Sequence, residues 1–141
     1  MSIRLSHVGL WVHDVEEALA FYTEKLGFEV REDVTLEELG GYRWLTVGPA
    51  GQPDVALILN VPGPPLFDPD TAAHVAASVA EGKTGGFILA CDDCQESYEE
   101  LGERGLEFSQ PPTRQPYGID AAFRDPSGNQ IRLVQPMPVR V

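Results

Sequence analysis

The chain has 141 residues, 43 % hydrophobic and 23 % charged, which is enough to bury one sizeable core and too apolar to stay disordered. Ten basic against 22 acidic residues leave a formal net charge of −12, which argues against nucleic acid or an anionic membrane as partner, since both bind through basic patches. The excess carboxylates read as a solubilising surface before they read as a match for a cationic ligand. The sequence contains no apolar run of about 18 residues and no signal-like opening, so the expected compartment is the cytoplasm.

Residues 5–12 read as a strand. Asp14 follows as an N-cap, with Glu16 and Glu17 in the first turn, where the helix dipole favours anions. Ala18, Leu19, Phe21, Tyr22 and Leu26 recur at helical spacing, and Gly27 stops the helix. Strands are predicted over Phe28–Val34, Tyr42–Val47 and Val55–Leu59, the last two joined by a turn at Gly48-Pro49-Ala50-Gly51. A segment from Val61 to Gly85 comes next. Its opening, Pro62-Gly63-Pro64-Pro65, suits neither helix nor central strand. Thr71 is placed to cap an Ala-rich helix from Ala72 to Ala80. The segment reads as a linker; as an alternative, Leu66 and Phe67 could form a lid over a pocket.

The second half repeats the first. Gly86–Cys91 is a strand, Asp93 takes the part of Asp14, and a helix runs to about Arg104, where Gly105 stops it. Strands follow over Leu106–Ser109, Ile119–Arg124 and Gln130–Gln135. The turn Asp125-Pro126-Ser127-Gly128 parallels the turn at Gly48–Gly51, and Arg114-Gln115-Pro116-Tyr117-Gly118 reads as a loop at a rim. Each half is strand, helix, then three strands. The expectation is one α+β domain over 1–141, with module 1 at about 4–60, a linker at about 61–84 and module 2 at about 85–136.

Particular residues in this pattern carry a resemblance. His7-Val8-Gly9-Leu10, Asp14, Phe21-Tyr22 and Leu26-Gly27-Phe28, with Phe123-Arg124-Asp125-Pro126-Ser127-Gly128-Asn129 near the other end, resemble the vicinal oxygen chelate superfamily. Glyoxalase I, extradiol dioxygenases, fosfomycin-modifying transferases and bleomycin-binding resistance proteins belong to it. The resemblance covers essentially the whole chain, and the Asp-Pro-x-Gly-Asn turn is its most specific part. It implies two tandem βαβββ modules whose sheets curve around a central cleft. Fold alone does not assign activity.

The metalloenzymes of that superfamily hold a divalent ion on side chains from the first and last strand of each module. Counting along the repeat puts those positions here at His7, Ala56, Gly86 and Arg132. Glycine and alanine offer no donor, arginine keeps a fixed positive charge, and a divalent ion needs several converging donors. No metal and no cofactor are therefore expected. His13 shares a strand face with His7, but six residues along a strand is roughly 20 Å, too far to share an ion.

With His7 facing the cleft, alternation adds Gly9, Trp11 and His13, and on the last strand Gln130, Arg132 and Val134. Tyr42, Trp44, Tyr117 and Phe123 lie on or beside the other cleft strands, and Arg114 lies in the rim loop. The expected ligand-binding set is His7, Trp11, Tyr42, Trp44, Arg114, Tyr117, Phe123 and Arg132, an aromatic wall with a few polar groups. Cys91-Asp92-Asp93-Cys94 has the spacing of a redox or zinc pair, but it lacks a second pair and its flanking carboxylates suppress thiolate formation. No nucleophile or phosphate-binding motif is visible, and no catalytic residue is assigned.

Three functions remain open on the sequence. A metal-free binding protein would hold a flat or aromatic small molecule, with His7 and Arg132 fixing its polar groups. This is similar to the drug-sequestering members of the family, which bind ligands at a homodimer interface, and a homodimer is expected. A divalent-metal-dependent lyase or dioxygenase is the alternative. A metal-free enzyme with His7 as general base and Arg132 as electrostatic stabiliser is the third.

Overall fold

The computed structural model of the protein describes residues 2–137. Module 1 consists of β1 (His7–Trp11), α1 (Val15–Ala20, continuing as a π turn over Phe21–Lys25), β2 (Glu29–Leu36), β3 (Tyr42–Gly48) and β4 (Ala56–Asn60). After α2 (Pro69–Ala80), module 2 follows as β5 (Phe87–Ala90), α3 (Cys94–Glu103), β6 (Phe108–Gln115), β7 (Gly118–Arg124) and β8 (Gln130–Pro136). The sheets run β1-β4-β3-β2 and β5-β8-β7-β6, the same order strand for strand, so the two βαβββ modules are found as expected.

The repeat rests on matching local chemistry. Asp14 accepts the Glu17 N–H at 3.1 Å, and Asp93 accepts that of Glu96 at 3.0 Å, so both module helices are capped by the same side chain in the same way. Gly27 and Gly105 leave those helices at φ 75° and 92°, the left-handed region where a side chain is strained.

Two boundaries differ from the sequence expectation. Helix α2 starts earlier and is capped by Asp68, which accepts the Thr71 N–H at 2.8 Å. Pro69 fits its first turn because the missing N–H has no helical partner to lose. Strand β6 runs on to Gln115 through Pro111-Pro112, with register shifts, because an edge strand tolerates prolines that a central one does not. The rim loop shrinks to Pro116-Tyr117.

One core serves both modules. Leu10, Val12, Leu45, Val47, Leu57 and Leu59 from the first sheet join Ala121, Phe123, Ile131 and Leu133 from the second. Phe21 and Tyr22 of the first helical segment fill the space between, with ring centroids 6.2 Å from Phe123 and 6.4 Å from Phe87 respectively. Because side chains alternate along a strand, the opposite face of each sheet turns outward.

The modules are locked together at the turn after β7. Asp125 is buried, and its Oδ1 accepts the N–H groups of Ser127, Gly128 and Asn129 at 3.0, 3.0 and 2.9 Å. Its Oδ2 accepts the Tyr22 hydroxyl and the Asn129 side-chain amide, both at 2.8 Å. The same amide donates to the Trp11 carbonyl at 2.8 Å, and Ser127 accepts the His13 N–H at 2.9 Å. Burial, and then the charge and hydrogen bond of Asp125, push the Tyr22 phenol far above its ordinary value, so it remains a donor.

Asp125→Ala orphans buried donors in both modules, and the expected loss is on the order of 3–4 kcal/mol in urea unfolding. Tyr22→Phe removes one bond of that set and is expected to cost about 1–2 kcal/mol. Equal stability of wild type and Asp125→Ala would show that the turn does not join the modules.

Candidate functional site

The outward face of the first sheet is aromatic. In register, His7, Gly9 and Trp11 lie beside Ala56, Ile58 and Asn60; Thr46 lies beside Ile58; and Trp44 and Tyr42 continue along β3 on that face. The His7 ring packs on Trp44 with centroids 5.4 Å apart, and its Nε2 lies 3.8 Å from the Glu32 carboxylate. Tyr42 donates its hydroxyl to Asn60, and partial burial raises that phenol above its ordinary value. Phe67, from the segment before α2, lies against Trp11 at 5.0 Å between centroids. The lid expectation therefore has one aromatic contact on this face.

The outward face of the second sheet is polar. Ile88, Arg132 and Ala122 lie side by side, as do Ala90, Val134 and Asp120. Asp120 is fully buried and gathers four donors. Its Oδ1 accepts Gln110 Nε2 at 2.9 Å and Gln115 Nε2 at 3.4 Å; its Oδ2 accepts the Tyr117 hydroxyl at 2.6 Å and Arg132 Nη1 at 2.8 Å. Burial alone would raise this carboxyl, but the hydrogen bonds from Tyr117, Gln110 and Arg132, with the Arg132 charge, outweigh it and hold it below the usual value. The bond to Asp120 in turn raises the Tyr117 phenol.

Six of the eight residues expected at the site stand on these faces: His7, Trp11, Tyr42 and Trp44 on the first, Tyr117 and Arg132 on the second. Two do not. Phe123 is 1 % exposed and packs against Phe108 at 5.4 Å, because alternation along β7 turns it inward with Ala121. Arg114 pairs with Ile119, which belongs to the core side, and so lies on the face opposite Asp120. His13, which alternation put on the face of His7 but outside the expected set, bonds the Ala76 carbonyl through Nε2 at 2.9 Å. Asp120, Gln110 and Asn60 escaped the sequence analysis. For Asp120 a signal existed, since it sits two residues from Ala122 on the face shared with Arg132.

The two faces do not meet within the chain. His7 and Arg132 belong to separate sheets that turn their helix-covered sides to one core, so a base–cation pair of these two is not assembled in one chain. On the helix-covered side the modules border two hollows, one of about 200 Å³ beside Val8, Leu57 and Phe87 and one of about 520 Å³ beside Leu26, Leu101 and Arg104, and neither is lined by His7 or Arg132. Arg132, Gln130, Gly86 and Ile88 border a hollow of about 390 Å³ on the polar face.

A divalent ion does not fit the described residues. Among them, no three His, Cys, Asp or Glu side chains converge. Register also corrects the count along the repeat: β1 and β5 begin their pairing with β4 and β8 so that Ile58, and not Ala56, is the counterpart of Arg132. Neither alanine nor isoleucine donates. At Gly86 a Cβ would lie 1.7 Å from the Gln130 carbonyl oxygen, so that position admits no ligating side chain at all. The cysteines are also unsuited to redox or zinc work: burial first, then neighbouring Cys91 and acidic groups, push the Cys94 thiol to about 11, and Cys91 is raised chiefly by burial.

The Glyoxalase/Bleomycin resistance protein/Dioxygenase superfamily matches residues 4–133. The crystal structure of UcmS2 is 47 % identical, with a TM-score of 0.87, covering 95 % of this chain and 98 % of that one. That of TnmS3, an antibiotic binding protein from Streptomyces sp. CB03234, is 33 % identical with a TM-score of 0.74, covering 97 % and 99 %. The uncharacterized protein YurT of Bacillus subtilis (strain 168) is 35 % identical over 127 residues, 89 % of this chain and 94 % of YurT. No helix among the described residues is long and apolar enough to cross a membrane.

The Asp120 cluster sets a pH dependence. A carboxyl held below its ordinary value of 3.8 stabilises the fold above that pH, and the contribution is lost as pH falls through the lower folded value. The stability difference between wild type and Asp120→Asn, measured by urea unfolding from pH 6 to pH 3, is expected to hold level down to about pH 5 and then to shrink as pH passes 3.8. A difference that stays constant over that range would place the charge outside the cluster's stability.

Proposed function

The chain belongs to the Glyoxalase/Bleomycin resistance protein/Dioxygenase superfamily, and on that premise we propose that it is a metal-free small-molecule-binding protein whose ligand lies between two copies of the chain. The observation that carries this is the pair of outward faces, one aromatic and one polar, each half of a pocket. A homodimer that sets the first face of one copy against the second face of its partner makes two equivalent sites. In each, Trp11, Trp44, Tyr42 and His7 offer ring surfaces to a flat ligand, while Arg132 and Tyr117 stand across from them with polar groups. Within one chain no three His, Cys, Asp or Glu side chains of the described residues converge, and the polar face presents the fixed cation Arg132 in place of a donor for the divalent ion that the lyases and dioxygenases of the superfamily need. The likeness to TnmS3 supports sequestration of an antibiotic as the role, and the cytoplasm is the compartment proposed for it.

A shared site makes a prediction that an internal one does not. Trp44→Ala and Arg132→Met, purified separately, are each expected to bind a planar aromatic probe such as 2-acetylnaphthalene weakly. Subunits of the two variants, mixed and exchanged, regenerate one intact site per mixed dimer, and about a quarter of the wild-type site number is expected in equilibrium dialysis. No recovery, with sedimentation showing a monomer, would sink the dimeric site.

A further inference from the structure

We infer that Asp120 determines ligand specificity: by sitting buried beneath Arg132 and cancelling its charge, it makes the guanidinium a donor to neutral, carbonyl-type oxygens and not a receptor for carboxylates. This rests on the reading of the outward faces as ligand sites.

The geometry separates the two partners. Asp120 is fully buried, whereas the Arg132 side chain is 46 % exposed on the open face. An ionised carboxylate has about four lone-pair positions, and four donors already approach this one, from Gln110, Gln115, Tyr117 and Arg132. Asp120 therefore has no capacity left for a ligand and acts through the residues it holds. Arg132 spends only Nη1, on Asp120 at 2.8 Å and Gln110 Oε1 at 3.4 Å. Among the described residues its Nε and Nη2 have no hydrogen-bond partner, so a fork of N–H groups remains for the ligand.

The charge balance selects the oxygen that fork receives. A receptor for anions leaves its cation uncompensated; here the cation is matched by a carboxylate at contact distance. The facing half-site adds no uncompensated cation, since its His7 imidazole stands 3.8 Å from the Glu32 carboxylate. The formal charge of −12 adds a repulsive field for any anion approaching the molecule. What the face offers is directed hydrogen bonding without net positive charge. That suits a flat ring system carrying ketone, quinone or amide oxygens at its edge.

Three naphthalenes of one size test this: 2-acetylnaphthalene with a neutral acceptor, 2-naphthoate with a carboxylate, and 2-ethylnaphthalene with neither. Equilibrium dialysis is run against wild type, Asp120→Asn and Arg132→Met. Wild type is expected to bind the ketone several-fold more tightly than the hydrocarbon, and naphthoate most weakly. Asp120→Asn keeps a side-chain acceptor but frees the cation, so naphthoate is expected to tighten about tenfold, the size of a charge-assisted hydrogen bond, while the hydrocarbon is unchanged. Arg132→Met is expected to bring the ketone down to the level of the hydrocarbon. A wild-type preference for naphthoate overturns the proposal without any substitution. Asp120→Asn moving all three probes together also overturns it, because that is what loss of a scaffold does. Wild type binding none of the three overturns the ligand-site reading itself, and this proposal with it.

Discussion

The hydrogen bond between Tyr22 and Asp125 is the constraint on which the arrangement of the molecule depends. It joins the helical segment of the first module to the last turn of the second, and it is buried, so neither partner can be satisfied by water. The Asn129 amide extends the connection to the end of β1. Once these groups are paired, the helix-covered sides of both sheets must face each other across one core. The consequence is geometric: the sides that carry His7 and Arg132 are forced to point away from each other. The Asp125–Asn129 turn thus works as a clamp, away from the two faces proposed to hold a ligand.

The two modules share a strand order but not a surface chemistry. On the first sheet the outward positions carry rings: His7, Trp11, Tyr42 and Trp44, with Phe67 added from outside the module. On the second they carry hydrogen-bonding groups organised around one buried carboxylate. The backbone explains part of the divergence. Gly86 is pressed against the Gln130 carbonyl and can carry no side chain, so the position in module 2 that corresponds to His7 is lost to any function. The neighbouring strand β8 supplies Arg132 instead, and its guanidinium compensates the buried carboxylate that β7 contributes as Asp120.

Much of this was legible in the sequence because it depends on local chemistry. Asp14 and Asp93 cap their helices wherever the rest of the chain goes, and Gly27 and Gly105 supply left-handed turns that other residues resist. Alternation along β1 and β8 was enough to put His7 and Trp11 on one strand face and Arg132 on the face away from Ile131 and Leu133, though the sequence reading turned both towards a central cleft. Arg114 was misplaced because the predicted β6 ends at Ser109, while the strand continues through two prolines and sets Arg114 opposite Ile119; Phe123 lay within the predicted β7, but the adjacent Ala121 and Ala122 give no sign of which of its faces is core. The direction in which the faces point could not be read at all. It follows from Tyr22 meeting Asp125 across 103 positions of chain, and no local pattern encodes such a contact.

The division of labour between the faces also bears on what kind of molecule a site of this type can hold well. Aromatic side chains on strands lose little freedom when a flat ligand stacks on them, since packing has already fixed their few torsions. They provide affinity with little directional preference. The Asp120 cluster works the other way, because its donors are oriented before any ligand arrives and a misplaced acceptor leaves them unpaired. A ligand that rests on one face alone gains area without orientation, or orientation without area. Only a surface that meets both at once uses what the repeat has built. Since the clamp at Asp125 keeps the two faces of one chain apart, the proposed site takes its first module from one copy and its second module from another.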